Sequence, residues 1–231
     1  MKIFISGVSS GIGLALAKKY LDQGADVYGL SRRPCPDSRV KWICCDLKDL
    51  DSIKGSLNEL LSHNANIDLA ILNAGVLGTI QDLSAAKLEE LKAMIDINLW
   101  ANKELIDYIC GERTCSQVIT LSSGAAVNGN RGWSGYSLSK AALNMMTSLY
   151  SKEFQNTHFC AFAPGLVDTA MQDQLCSITE TDNFTSLQRI QNARGTENMP
   201  TADELADKLP NIFKKLLEYT SGSFIDIRKM N

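Results

Sequence analysis

Short apolar runs alternate with stretches in which apolar residues return every three or four positions, and the alternation persists along nearly the whole chain. Residues 2–6 form one such run, and from Leu14 the spacing turns helical, with Leu14, Ala17 and Leu21 on one face and charges between them. Gly24-Ala25 ends that helix, residues 26–30 read as a second strand and 40–45 as a third. Ile53, Leu57, Leu60 and Leu61 supply the inner face of a helix over 51–63. Residues 67–72 are apolar apart from Asp68, and so continuous a run suits a parallel strand covered on both faces. A long helical region is expected over 84–110, strands over 117–121, 158–163 and 223–227, and helices over 133–154 and 201–219, the last despite Pro210. The pattern predicts an α/β protein with a doubly wound, seven-stranded parallel sheet and helices on both faces.

Two segments depart from this rhythm. The helix over 133–154 is apolar on almost every side, which places it deep in a core or under a partner subunit, and a homodimer or homotetramer is expected. Residues 166–196 are polar and without clear periodicity, as expected of a partly helical, mobile substrate loop.

Composition narrows the classes. With 231 residues and 45% hydrophobic content the chain can bury one substantial core, and since no linker divides it, 1–231 reads as a single domain. A net charge of −3 with scattered lysines and arginines argues against nucleic acid as a partner. No stretch has the roughly 18 continuous apolar residues of a membrane span, and no cleavage site follows the start, so a cytoplasmic protein is expected. The seven cysteines show no paired spacing and read as reduced. His63 and His158 have no ligand-type residues at metal spacing, so no metal is expected.

The candidate chemistry gathers where strands end. Gly7, Gly11 and Gly13 stand between the first strand and the first helix, either as a plain glycine turn or as a cradle in which helix N–H groups meet a pyrophosphate. The second strand ends in Ser31, Arg32 and Arg33 with no acid to bind a ribose 2′-hydroxyl; a 2′-phosphate suits arginine, so NADP(H) is expected over NAD(H). Asp46 either caps a turn or reads an adenine edge, and Asn73-Ala74-Gly75 either ends a strand or leaves room for ribose and nicotinamide. Asn98, in an apolar stretch, must satisfy a backbone kink or serve a polar site. Tyr136 and Lys140 are one helical turn apart, and Ser123 follows the fifth strand. An ammonium about 4 Å from a phenol is worth roughly 4 kcal/mol at a dielectric near 20, enough to acidify a tyrosine toward neutral pH. Trp133, Leu166 and Met171 are the expected pocket lining.

Taken together these residues resemble the short-chain dehydrogenase/reductase family over nearly the whole chain. Gly7, Gly11 and Gly13 match its glycine motif, with Ser6 where threonine is usual; Asn73-Ala74-Gly75 matches its Asn-Ala-Gly motif; Asn98, Ser123, Tyr136 and Lys140 match its tetrad; Pro164-Gly165 and Thr169 match its nicotinamide-side motif. The resemblance implies a Rossmann fold and hydride transfer between a nicotinamide and a carbonyl or alcohol carbon of a small molecule. It implies that Tyr136 donates the proton, Ser123 bonds the substrate oxygen, Lys140 lowers the tyrosine pKa and holds the ribose, and Asn98 positions a relay water. It places Ser9, Ser10, Ile12, Leu47 and Val167 beside Asp46 and Thr169 as cofactor contacts. Within the family, PGLVDTAMQ from Pro164 and SGSFIDIR from Ser221 resemble sepiapterin reductase and the benzil or diketone reductases. Arg228 and Lys229 stand where sepiapterin-type enzymes carry an acid for the pterin. The expected activity is NADPH-dependent reduction of a small ketone, diketone or aldehyde. An idle NADP(H)-sensing protein is the alternative, and enoyl reductases resemble a wider tyrosine-to-lysine spacing.

Overall fold

The computed structural model describes residues 1–61 and 66–230. The elements in chain order are β1 (Lys2–Ser6), α1 (Gly11–Asp22), β2 (Asp26–Ser31), β3 (Lys41–Cys44), α2 (Leu50–Leu60), β4 (Ile67–Leu72), α3 (Leu88–Ile95) and α4 (Ala101–Ile106). After them come β5 (Cys115–Leu121), α5 (Ala125–Asn128), α6 (Ser134–Glu153), β6 (His158–Ala163), α7 (Ala170–Cys176), α8 (Thr185–Ala193), α9 (Ala202–Leu216) and β7 (Ser223–Asp226). The strands form one seven-stranded sheet in the order β3-β2-β1-β4-β5-β6-β7, every pair parallel. This is the doubly wound Rossmann arrangement expected.

Side-chain alternation divides the core. On β1, Ile3 and Ile5 face the layer of α1 and α9 with Leu16, Leu209 and Phe213, while Phe4 faces the layer of α2, α4 and α6 with Leu57, Leu105 and Leu143. The central strands are thus buried on both faces, which is why β4 and β5 are apolar runs rather than alternating ones.

Two expectations change in detail. The long helix over 84–110 is interrupted: α3 and α4 are separated by a π-turn at Asp96–Trp100, and a second follows at Asp107–Gly111. The first turn includes Asn98, fully buried in the interior. The helix expected over 51–63 is α2, ending at Leu60, and residues 62 and 63 lie outside the described residues. The segment 166–196 is partly helical as expected, holding α7 and α8.

Pro210 is accommodated inside α9 because the helix is secured elsewhere: Thr201 and Glu204 form a reciprocal capping box, and Leu205, Leu209, Phe213 and Leu216 are buried in one face. On α6 the monomer covers Leu143, Met146, Thr147 and Tyr150 but leaves Leu138, Met145 and Leu149 at 51%, 63% and 57% exposure, so the apolar helix is only half enclosed. No helix among the described residues is long and apolar enough to cross a membrane.

Candidate active site

Because all seven strands run the same way, their C-terminal ends lie along one edge of the sheet. The strand order reverses between β1 and β4, and a cleft opens there, where the diverging loops leave space. It has a volume of about 660 Å³.

The glycine turn is tied together by β4. The Asn73 amide donates to the carbonyls of Ser6 (3.0 Å) and Gly7 (3.3 Å), and the Ala74 N–H donates to the Ser6 hydroxyl at 3.1 Å. Asn73 is therefore a strut across the first and fourth strand ends. Gly7 has φ of +82°, and α1 begins so close beneath the turn that a Cβ on Gly13 would fall 2.2 Å from the Gly7 carbonyl oxygen. Ser9, Ser10, Gly11 and Ile12 line the cleft above it, and the first-turn N–H groups of α1 open toward the same space.

At the β2 end, Ser31 is buried, donating to the Arg33 carbonyl and accepting from the Trp42 indole, each at 2.7 Å. Its hydroxyl shapes the loop that presents Arg32 and Arg33, both exposed and both lining the cleft. Arg33 reaches across to the Ser10 hydroxyl at 3.2 Å, placing a guanidinium at the glycine turn. Asp46 caps its own turn with one oxygen on the Lys48 N–H at 3.1 Å, so the capping role is realised while the residue also lines the cleft beside Leu47.

The chemical end is built by docking α6 onto the end of β5. Three bonds hold it: Ser122 Oγ to Asn144 Oδ1 (2.5 Å), Thr120 to Thr147 (2.8 Å) and Lys140 Nζ to the Leu121 carbonyl (2.7 Å). The polar face of α6 is thus its attachment to the sheet. Tyr136, one turn before Lys140, lies beside Ser123, whose hydroxyl accepts the Ala125 N–H at 3.1 Å. Asn98 lies behind this group. It accepts the Val76 N–H (2.8 Å) and donates to the Val76 carbonyl (2.9 Å) and the Ser139 hydroxyl (3.0 Å), while its own carbonyl accepts from Asn102 (2.8 Å). A Cβ on Gly75 would stand 3.1 Å from Asn98 Oδ1 and 3.5 Å from Lys140 Nζ, so the two side chains meet at that glycine.

The electrostatics depart from the expectation of an acidified phenol. Burial pushes Tyr136 up, and the Ser123 hydrogen bond only partly offsets it. Lys140 stands 5.8 Å from the Tyr136 ring centroid with its ammonium turned to Leu121, and burial pulls it down to about 8. In this state desolvation outweighs the attraction of lysine for phenolate.

The segment after β6 closes the other side. Pro164, Gly165, Leu166, Val167, Thr169 and Met171 line the cleft, with Thr169 Cγ2 only 3.5 Å from where a Gly11 Cβ would be. Beyond them α7 and α8 pack a small apolar cluster of Leu77, Ile80, Trp133, Leu175 and Leu187. Trp133 is buried in it, donates its indole N–H to Ser186 at 2.7 Å, and lies 6.1 Å from the Tyr136 ring. Arg194 ties the end of α8 to the start of this segment through Asp168 (2.9 Å) and Asp173 (2.6 Å).

Of the residues read from the sequence as site members, all line the cleft except Gly13 and Asn98, which sit beneath it. Sequence reasoning missed Asn128, Ser186 and Arg189, and met Arg228 only as a departure from the acid of sepiapterin-type enzymes. They come from a four-residue helix, the lid and the C-terminal turn, and no spacing in the chain relates them to Tyr136.

Comparison with known proteins follows this geometry. A family model described as short chain dehydrogenase matches residues 1–178. A benzil reductase, (S)-benzoin forming, from Bacillus subtilis is 31% identical over 97% of this chain and 97% of its own. A 3-oxoacyl-[acyl-carrier-protein] reductase from Thermotoga maritima is 28% identical over 96% of this chain and 94% of its own. Among solved structures, a short chain dehydrogenase/reductase from Saccharomyces cerevisiae superposes with a TM-score of 0.84 at 24% identity, covering 97% of this chain and 95% of that one.

Proposed function

Since the chain belongs to the short-chain dehydrogenase family and is an oxidoreductase of that type, we propose that it is an NADPH-dependent carbonyl reductase acting on small ketones, diketones or aldehydes. The observation that carries this reading is the convergence of Ser123, Tyr136 and Lys140 at one end of a cleft whose other end is a glycine turn. The residues present fit a dinucleotide. Gly7 and Gly13 leave no side chain in the cradle, the first-turn N–H groups of α1 would meet a pyrophosphate, and Arg33 is held over Ser10 with no carboxylate at the β2 end. That pairing supports NADP(H) over NAD(H).

When bound, the reduced dinucleotide supplies the hydride. The chain's part is to hold the carbonyl oxygen and give it a proton. Ser123 and Tyr136 can both donate to one oxygen between them, where negative charge grows as the carbonyl carbon is reduced. A phenol raised by burial is fully protonated at neutral pH, the form an acid must have. Lys140, with its pKa near 8, can pass a proton on toward the phenolate afterwards. Asn98 keeps the 75–76 turn and Ser139 in place behind the lysine. The benzil reductase relatives favour turnover over an idle sensing role.

We read the exposed stripe of Leu138, Met145 and Leu149 as the seat of a second copy, making the enzyme a homo-oligomer. The test of function is NADPH oxidation with a panel of aldehydes, ketones and vicinal diketones. Tyr136→Phe is expected to lose about 10²–10⁴-fold in rate; equal rates in variant and parent would sink the mechanism.

A further inference from the structure

The turn at Ile227–Lys229 brings Arg228 into the cleft from the end of the sheet. Its stem passes over Gly165, with Cγ 3.9 Å from where a Cβ there would lie, and its guanidinium ends over Gly124, the residue after Ser123. A Cβ on Gly124 would fall 2.7 Å from Arg228 Nη2, 3.3 Å from Asn128 Nδ2 and 3.7 Å from Asp226 Oδ2, so two nitrogen donors meet beside Ser123 with the carboxylate that holds the arginine set behind them. The guanidinium is held. Its Nε donates to Asp226 Oδ1 at 2.9 Å and Nη2 to Asp226 Oδ2 at 2.5 Å, and Asp226 is buried while the arginine is half exposed. The fork uses two of the five guanidinium N–H groups, leaving three for another acceptor. The pair neutralises a buried carboxylate and in doing so fixes the guanidinium at the cleft wall.

We propose that Arg228, oriented by Asp226 and assisted by Asn128, binds the second oxygen of a 1,2-dicarbonyl substrate whose first oxygen is bound by Ser123 and Tyr136. The inference rests on the carbonyl-reductase reading and names its substrate class: a vicinal diketone or a 2-oxo acid. The reaction balances as one reduction. Hydride from the reduced dinucleotide adds to the first carbonyl carbon, its C=O π pair moves to oxygen, and that oxygen takes the Tyr136 proton; the second carbonyl or carboxylate keeps its bonds and only accepts from Arg228.

The test compares 1-phenyl-1,2-propanedione and benzoylformate with benzaldehyde, which lacks the second oxygen. For the parent, Arg228→Met and Arg228→Lys, two ratios are read, each dicarbonyl against benzaldehyde: kcat/KM, and dissociation constants of the NADP⁺ complexes by calorimetry. Arg228→Met is expected to lower the kcat/KM ratio and raise the ratio of dissociation constants, each about 10–100-fold, the range of a charge-assisted hydrogen bond, with Arg228→Lys between. Loss on both dicarbonyls supports an oxygen reader, and loss on benzoylformate alone supports a carboxylate reader. Because Arg228→Met leaves Asp226 buried and unpaired, an Asp226→Asn, Arg228→Met double variant is run beside it and should show the same changes. Ratios unchanged for both dicarbonyls in every variant would overturn the proposal. A parent that turns over none of the three compounds removes the carbonyl-reductase reading instead, and the ratio of dissociation constants still decides the role of Arg228.

Discussion

Replacing Lys140 with methionine should stabilise the cofactor-free protein at neutral pH relative to its own behaviour at alkaline pH. Lys140 is buried with its Nζ on one carbonyl, and burial pulls its pKa from 10.5 to about 8. Between those values the unfolded chain holds a proton that the folded chain has released, so stability rises with pH across the window. At 1.36 kcal/mol per pH unit the full window corresponds to roughly 3 kcal/mol, and the part between pH 7 and 9.5 to roughly 2 kcal/mol. Urea unfolding of the cofactor-free protein at the two pH values measures it. The parent should gain roughly 2 kcal/mol more than Lys140→Met on going from pH 7 to 9.5, because every other titrating group is common to both and cancels. Methionine also loses the bond to Leu121, which offsets part of the gain at pH 7 but leaves the pH slope untouched. Parallel pH profiles for parent and variant would refute the reasoning, since they would mean that the ammonium is solvated in the fold. The burial cost of this lysine is the stability given up for a cation where the chemistry needs one.

Other residues are open to the same kind of test. Asn98→Ala leaves both Val76 backbone groups without the carboxamide, and a loss of roughly 2–4 kcal/mol is expected in urea unfolding; a loss below 1 kcal/mol would show that Asn98 is not the strut described. Arg33→Ala should raise the KM for NADPH by about tenfold or more at low salt while leaving that for NADH in place, and an equal change in both would assign the arginine to something other than the 2′-phosphate. Trp133→Phe keeps a ring in the lid cluster but loses the bond to Ser186, worth about 1 kcal/mol; limited proteolysis between α7 and α8 should quicken about fivefold, and an unchanged rate would mean that packing alone holds the lid shut.

Periodicity was enough for the architecture because strands buried on both faces must be continuous apolar runs and the helices that cover them must be amphipathic. The seven strands and the glycine turn were therefore legible in the chain, as were Ser123, Tyr136 and Lys140, whose local spacing carries their chemistry. What the chain left open was every property set by neighbours distant in sequence. The phenol beside a lysine reads as an acidified tyrosine, yet burial of both groups reverses the direction, because desolvation depends on what the lid and β5 place around them. Asn98 reads as an oddity within a helix until the π-turn and Val76 account for its bonds. The apolar surround of α6 was visible, but only its docking onto Thr120, Leu121 and Ser122 decided which face remained exposed. Arg228 is the clearest case. Over a hundred positions separate it from Gly124, and nothing in either stretch relates them; the parallel sheet, by ending β5 and β7 at the same edge, is what carries the guanidinium to the serine.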